Sequence, residues 1–289
     1  MRSMIVWAMV VVVVAVSACD VRAEPISDSP RTVTAAAAGF TLDGVRWWPA
    51  GMDAYQLATN WSINRGCGAQ VDLDAYFGSL PPNALTRFDL FAALSVNKFT
   101  GAVDFSPADA VFAAAARHRQ MVLPVLTGAD GACESGEFKQ RDWYVDGWRT
   151  ESAFGGMTFQ QRATTAVTRW RNSPAVVGWE PVGEPEPGVC GRSCAFPDRT
   201  CPADAGAVLR GFFDAAGGAI HGLDPGSLVF TRERSGPAAS AAEVTANPMT
   251  TTDADTAVPP SSSVSTTGSR SRLRWRSPPM PRSLMGSGG

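Results

Sequence analysis

The sequence is poor in histidine, in lysine and in clustered positive charge. Only His118 and His221 occur among its 289 residues, and lysine stands only at positions 98 and 139. Both histidines fall near the ends of predicted helices, where the helix dipole favours a cation, so a Ser/His/Asp hydrolase or a His-rich metal site has little support. The net charge of −2, with no cation cluster before residue 231, excludes nucleic acid as a main partner. No phosphate-binding glycine loop is present, and we expect no cofactor and no metal.

The N-terminus lacks an apolar run long enough to cross a membrane comfortably. The run from Met4 to Ala18 has the length of a signal-peptide core, so we predict a signal peptide over residues 1–18 and an exported protein. The sequence before Cys19 resembles a bacterial lipobox, which would attach a lipid to Cys19 and tether the chain to the membrane. The alternative is an ordinary signal peptide that is cut after Ala23.

Cysteines are few, and without Cys19 their number is odd. An exported protein normally pairs its cysteines as disulfides. Cys190, Cys194 and Cys201 could also form a zinc site, but their spacing lacks a C-x2-C pair and no histidine lies nearby. A loop pinned by a disulfide is the favoured interpretation.

The alternation of strand and helix signals predicts an α/β domain with parallel strands over residues 39–231, after a linker at 19–38. Pro124 indicates an edge position or a bulge for its strand. The predicted strands are 45–52, 84–92, 121–126, the apolar run from 176, and 227–231. The predicted helices are 72–80, one opened by Ser106 as N-cap, one opened by a capping box at 158–161, and one over 208–220.

The character of the sequence changes at residue 232. Ser, Thr, Pro and Arg dominate from there to the end, and no apolar period remains. Such a segment cannot bury enough apolar surface to offset the entropy of ordering, so residues 232–289 are predicted to be a disordered tail. Both a genuine tail and the product of out-of-frame translation fit this composition.

The stretch 176–187, VVGWEPVGEPEP, brings three carboxylates together at the end of a predicted strand. Parallel barrels collect reactive groups at the carboxyl ends of their strands, where Glu184 falls. We expect Pro185 to hold Glu184 in an extended conformation. Glu180 precedes Glu184 by four residues, so the two side chains should point to the same face of the strand, with Glu180 roughly 13 Å further from its carboxyl end. We expect Glu180 to be a buried support. Glu186 is expected to face solvent or a neighbouring arginine.

The segment GWEPVGEPEP resembles the W-E-x-x-N-E-P signature of retaining glycoside hydrolases of family 5, the cellulase and endo-β-1,4-mannanase type of clan A. FTLDGVRWWPAGMDAY, residues 40–55, is similar to the first strand region of that family, and LTRFDLF, residues 85–91, to the second. The resemblance covers about residues 39 to 231.

The resemblance implies a (β/α)8 TIM barrel that hydrolyses a β-1,4-linked polysaccharide, mannan or glucan, with retention of configuration. It makes Glu184 the general acid/base and Arg87 the residue that orients the second carboxylate. Trp143, Tyr144 and Trp148, in a long loop, would stack on sugar rings or else cover the barrel rim.

Two departures from the family stand out. Gly183 replaces the usual Asn, which binds a sugar hydroxyl and the nucleophile. The nucleophile ends the seventh strand of the family, whereas the resemblance stops after about five of eight βα units, so no nucleophile is assigned and the activity of the chain stays open. The alternative function is that of a non-catalytic carbohydrate-binding lipoprotein of the cell surface.

Overall fold

The computed structural model describes residues 31–58, 71–97, 99–132, 134–152 and 154–231. The predicted signal peptide, Cys19 and the predicted tail at 232–289 lie outside the described residues. In the described ranges, no helix is long and apolar enough to cross a membrane.

The elements alternate between strand and helix, which confirms the predicted mixed α/β class. The strands are β1 (Val33–Ala36), β2 (Gly39–Leu42), β3 (Val45–Trp47), β4 (Gly51–Asp53), β5 (Leu85–Asp89), β6 (Met121–Val125), β7 (Gly178–Trp179), β8 (Val189–Cys190), β9 (Arg199–Thr200) and β10 (Leu228–Val229). The α-helices are α1 (Leu73–Gly78), α2 (Ser106–Arg117), α3 (Trp148–Thr150), α4 (Phe159–Trp170) and α5 (Ala205–Leu223). Short 3₁₀ turns cover Ala92–Ser95, Phe154–Gly156 and Phe196–Asp198, and a π turn covers Trp143–Gly147.

Five neighbouring parallel strands form the main sheet. β4 pairs with β5, β5 with β6, and β7 with β10. Parallel bridges from β6 and from Gly128, just beyond it, to residues 176–183 join the two parts. The spatial order is therefore β4, β5, β6, the β7 segment and β10, with α1, α2, α4 and α5 in the connections between them. No pairing between β4 and β10 closes this sheet within the ranges that the structure describes.

The two faces of the sheet are covered differently. Outward side chains such as Phe88 pack under the helices, where the Phe88 and Phe112 ring centroids are 5.6 Å apart. Inward side chains, among them Leu85 and Val177, pack against the antiparallel sheet β1–β2–β3. This small sheet corrects two predictions. The predicted linker at 19–38 contains β1, in which Val33 is buried. The predicted strand 45–52 is two strands, because Pro49 interrupts it.

Pro124 marks a bulge in the strand that faces β6. β6 is an inner strand, and from Val122 to Val125 it advances three residues while its partner advances four, from Val176 to Glu180. The partner therefore carries one extra residue, opposite a proline that has no N–H to donate. The extra residue lies before Glu180, because from Val125 to Gly128 and from Glu180 to Gly183 both strands advance three residues, so the bulge does not change the alternation after Glu180.

Helix starts follow the sequence closely. Asp72 caps α1, its Oδ1 accepting from the Ala75 N–H at 3.0 Å. The capping box predicted at 158–161 is present at the start of α4. Two starts differ: the N-cap of α2 is Phe105, so Ser106 is already helical, and α5 begins at Ala205, three residues before the predicted start at 208.

Candidate functional site

Arg87 forms the centre of a charged network at the carboxyl end of the sheet. It lies on β5 and is only 8% exposed. Its Nε donates to Glu180 Oε2 at 2.7 Å and its Nη2 to Glu180 Oε1 at 2.8 Å. Its Nη1 donates to Asp53 on β4, at 3.1 and 3.3 Å from the two carboxylate oxygens. One guanidinium thus fixes carboxylates from two other strands, and the fork to Glu180 is the strong bidentate form.

Burial and the neighbouring negative charges have opposite effects on the pKa of Arg87. Burial alone would lower the pKa of the guanidinium, but the hydrogen bonds and negative charge of Glu180, with Asp53 and Asp89, outweigh burial and raise the pKa. Glu180 is 2% exposed, as expected of a buried support. The carboxylates that Arg87 orients in the described residues are therefore Glu180 and Asp53.

Asp89 is a carboxyl that sequence reasoning missed. It follows Arg87 by two residues on β5 and is 8% exposed. Burial raises the pKa of Asp89 well above its usual range, the charge of Arg87 opposes the shift, and Asp53, Glu134 and Glu180 add to it. Asp89 therefore keeps its proton at pH values where an exposed Asp is ionised. The sequence contains a signal for this position: Asp89 lies two residues after Arg87, and in a strand this spacing places both side chains on the same face.

Glu184 stands at the rim in an uncommon backbone conformation. Gly183 makes the last sheet contacts, donating to Thr127 O at 2.8 Å and accepting from Ala129 N at 3.1 Å. Glu184 follows with φ of +51°, which corrects the expected extended conformation. A non-glycine residue in the left-handed region costs about 1–2 kcal/mol, and a following proline disfavours helical backbone further. Its side chain is exposed and makes no hydrogen bond or ion pair with another described residue.

Gly183 leaves room for Arg87. A Cβ atom at this position would lie 3.1 Å from Arg87 Nη2 and 3.2 Å from Val125 Cγ1. These distances are shorter than ordinary van der Waals contacts, so the Asn expected from the family resemblance would displace the guanidinium. The observed position of the Arg87 guanidinium is therefore compatible with glycine at position 183 and would have to change for a larger residue.

Of the three predicted sugar-stacking rings, only Trp143 reaches the wall of a cavity, and Tyr144 and Trp148 do not. Trp143, Tyr144 and Trp148 are 8%, 1% and 2% exposed and pack with Phe159 and Phe212 beneath α4 and α5. The π turn and α3 direct the rings inward, where each buries a large apolar area. Tyr144 and Trp148 are therefore core residues, whereas substrate binding by Trp143 stays a prediction.

The cysteine loop agrees with the favoured interpretation. Cys190 and Cys194 form a disulfide, while Cys201 is free and exposed. In the described part of the chain, no group of three or more His, Cys, Asp or Glu residues could hold a metal ion. Glu186 lies 3.4 Å from Arg199, the arginine neighbour that was expected for it.

Comparison with known proteins gives matches in shape alone. No protein-family model and no curated protein matches the sequence. An endo-1,4-β-mannanase from Rhizomucor miehei matches with a TM-score of 0.45 and 18% identity, over 70% of this chain and 58% of the other. An endocellulase from Pyrococcus horikoshii, in complex with cellotetraose, matches with a TM-score of 0.48 and 14% identity, over 70% and 57%. A β-mannanase from the blue mussel Mytilus edulis matches with a TM-score of 0.46 and 16% identity, over 70% and 63%.

The chain therefore spans about three fifths of the length of these structures, from 57% to 63%. At TM-scores below 0.5 the likeness does not bear on the activity of this chain.

Proposed function

We propose that the chain is a glycoside hydrolase of the retaining type that acts on β-1,4-linked polysaccharide, mannan or glucan, with Glu184 as general acid/base. One observation carries the proposal. Glu184 is held in a costly left-handed conformation directly after the last sheet contact, with its carboxyl group open to solvent. Backbone strain of this kind concentrates at active sites, where the surrounding structure maintains it. The W-E-x-x-x-E-P pattern around Glu184 supports the same role.

The chemistry defines what Glu184 has to do. A retaining glycosidase places two carboxyl groups about 5–5.5 Å apart, and the protonated one gives its proton to the leaving glycosidic oxygen while the ionised one attacks the anomeric carbon. Glu184 is assigned the proton transfer. Asp53 and Glu180 are both held by Arg87, and burial raises the pKa of Asp89 well above its usual range, so none of the three is assigned as nucleophile. The proposal leaves the nucleophile unassigned.

The alternative, a non-catalytic carbohydrate-binding protein, depended on an exposed aromatic cleft. Because Tyr144 and Trp148 are almost fully buried, this support is lost. Trp143 is only 8% exposed. The alternative therefore has no observation that favours it.

Hydrolysis assays on soluble mannan and soluble β-glucan test the proposed activity. We expect one polymer to be cleaved and Glu184→Gln to lower the rate by about 10²- to 10⁴-fold, the usual contribution of a general acid/base. Glu186→Gln is the matched control, because it removes the same group two residues away, and it should stay within about threefold of the unmodified rate. Absence of cleavage of either polymer, or an unchanged rate in Glu184→Gln, would overturn the proposal.

Export with a lipid on Cys19 is the second part of the proposal. Its support is the apolar run before Cys19 and the Cys190–Cys194 disulfide, a crosslink typical of exported proteins. Mass spectrometry of the mature N-terminus should find a lipid-modified Cys19, and Cys19→Ser should abolish the added mass. A mature chain that begins at Glu24 would instead indicate an ordinary signal peptide.

A further inference from the structure

Asp89 is a carboxyl group that the proposed proton transfer does not use. It is the last residue of β5, two residues after Arg87. On this strand Phe88 packs outward against Phe112, whereas Arg87 reaches inward to Glu180. Because alternate residues of a strand share a face, Asp89 points inward like Arg87, one step nearer the carboxyl end of the sheet. Ligands of parallel α/β sheets bind beyond these ends.

The carboxyl group of Asp89 has no partner among the described residues. The backbone N–H of Asp89 donates to Tyr55 O at 3.2 Å, but its side chain forms no hydrogen bond or ion pair with any residue that the structure describes. The residue is 8% exposed. A polar group that is buried without a partner costs about 1–3 kcal/mol. Such a cost indicates a group that is kept for a ligand rather than for stability.

The oxygen atoms of Asp89 remain within reach of a ligand. Over the described ranges of the chain, the side-chain nitrogen and oxygen atoms that are fully enclosed and lack a partner belong to Trp148, Arg162 and Arg199. Asp89 lacks a partner and is not one of these residues, so its carboxyl oxygens still contact solvent. The small exposed part of Asp89 therefore includes the atoms that form hydrogen bonds.

The exposed side chain of Tyr55 lies beside Asp89. Tyr55 follows β4 at the same edge of the sheet and is 43% exposed. The hydrogen bond from Asp89 N to Tyr55 O holds the two residues together across neighbouring strands. An aromatic ring that is open to solvent offers an apolar face. A sugar ring has apolar C–H faces and a hydroxylated edge, so an exposed aromatic ring next to an unpaired carboxyl group matches both of its surfaces.

The charges at this edge favour an uncharged ligand. Burial raises the pKa of Asp89 well above its usual range, Arg87 opposes the shift, and Asp53, Glu134 and Glu180 add to it. These neighbours lie on β4, on β5, in the loop after β6 and on the β7 segment. A protonated carboxyl group both donates and accepts hydrogen bonds, as a sugar hydroxyl does. The neighbouring carboxylates disfavour an anion, so a neutral sugar is the class of ligand that fits.

We propose that Asp89 and Tyr55 form a subsite for one neutral sugar unit of the polysaccharide, in which the Asp89 carboxyl group hydrogen-bonds a sugar hydroxyl and the Tyr55 ring packs against the sugar. The class of ligand rests on the proposed function, but binding at Asp89 does not require proton transfer by Glu184. Asp89 is thus a substrate-binding residue and not the nucleophile.

Calorimetric titration of the full-length Glu184→Gln chain with cellotriose and with mannotriose tests the subsite, because this variant should bind without cleaving. We expect saturable binding of at least one trisaccharide, in the millimolar range or tighter. In this background Asp89→Leu should weaken binding by at least about tenfold, whereas Asp89→Asn, which keeps a donor and an acceptor, should stay within about threefold. No saturable binding, undiminished binding by Asp89→Leu, or equally weak binding by Asp89→Asn and Asp89→Leu would each overturn the proposal.

A second pair of variants tests the contribution of the aromatic ring. Tyr55→Ala should weaken binding of the same trisaccharide by at least about threefold. Trp48→Ala is the matched control, because Trp48 is also exposed but precedes β4, at the opposite end of that strand from Tyr55. Its affinity should be unchanged. Equal losses in the two variants would contradict a subsite at Tyr55.

NMR spectra of the chain with labelled tyrosine rings keep the test valid if Asp89→Leu does not fold. The chain has three tyrosines, so the ring signals can be assigned by substitution. The trisaccharide should shift the signals of Tyr55 and leave those of Tyr76, whose hydroxyl group is hydrogen-bonded to Thr86, unchanged. Unshifted Tyr55 signals during saturable binding would place the sugar elsewhere and overturn the assignment.

Hydrolysis of the polymers separates this proposal from the proposed function. Trisaccharide binding that depends on Asp89 and Tyr55, in a chain that cleaves neither mannan nor glucan, would support the subsite and refute only the role of Glu184. Cleavage that Glu184→Gln abolishes, together with unchanged trisaccharide binding in Asp89→Leu, would refute only the subsite.

Discussion

Glu180 and Glu184 lie in the same short stretch, yet the fold gives them opposite environments. Glu180 is buried and receives two charge-assisted hydrogen bonds from Arg87, at 2.7 and 2.8 Å. Glu184 is exposed, has no side-chain partner among the described residues, and occupies the left-handed region of backbone conformation. The first carboxylate stabilises the fold, whereas the second costs stability and remains open to a ligand. Such a cost is expected where function, not folding, determines the residue.

Removal of Arg87 should produce the largest effect on stability. Arg87→Met leaves Glu180 buried without a counter-charge, so the free energy of unfolding should fall by about 3–5 kcal/mol in urea denaturation followed by circular dichroism. Arg141→Met removes an exposed ion pair with Asp204, which solvent screens, and should therefore cost far less stability than Arg87→Met. Similar losses in both variants would mean that the Arg87 network is not structural.

Neutralising Glu180 should have the next largest effect. Glu180→Gln keeps the shape of the side chain but loses the ion pair, while Arg87 retains Asp53, so we expect a loss of about 1–3 kcal/mol in the free energy of unfolding. Glu184→Gln, the same change at the exposed position, should stay within about 0.5 kcal/mol. If the two variants were equally destabilised, the contrast between the two glutamates would be wrong.

Asp89 should show the pH dependence of a buried acid. Its pKa is raised in the fold, so its favourable contribution is complete below the ordinary Asp pKa and is lost as the pH rises through the folded value. Asp89→Asn should therefore be more stable than the unmodified chain near pH 7, by about 1 kcal/mol, with the difference vanishing toward pH 3.

Asp109 is the control for Asp89, because its pKa is shifted in the opposite direction. The hydrogen bond from Arg169 lowers the pKa of Asp109, so the contribution of Asp109 is present at neutral pH and is lost as the pH falls. Asp109→Asn should thus lose stability at pH 7 and not at pH 3. Unfolding curves that vary with pH in the same direction for both variants would contradict these assignments.

Relief of the backbone strain at Glu184 should give the smallest effect. Glu184→Gly is expected to stabilise the fold by about 0.5–1 kcal/mol, because glycine adopts positive φ without the steric cost but loses more entropy on folding. Glu186→Gly should give no gain, since Glu186 does not have a positive φ. Thermal unfolding of both variants tests the difference, and a destabilised Glu184→Gly would show that the conformation is not strained.

Much of the fold follows from local signals in the sequence. The parallel strands, the capping box at Thr158 and the burial of Glu180 depend on nearby residues and on periodicity, which the sequence displays directly. The bulge opposite Pro124 depends on a neighbouring strand that is more than fifty residues away in the chain. For the same reason the burial of Tyr144 against Phe212 on α5, and the role of Val33 in a sheet rather than a linker, could not be read from the local pattern.

The rate of Glu184→Gln on two substrates tests the central claim most directly. A polysaccharide has a poor leaving group that needs a proton, whereas a 2,4-dinitrophenyl β-disaccharide has a leaving group that departs without one. If Glu184 is the general acid, the variant should cleave mannan or glucan about 10²- to 10⁴-fold more slowly. It should still release dinitrophenolate in a first-turnover burst close to that of the unmodified chain. A fall by the same factor on both substrates, or no fall on either, would contradict the assignment of the chemistry to Glu184.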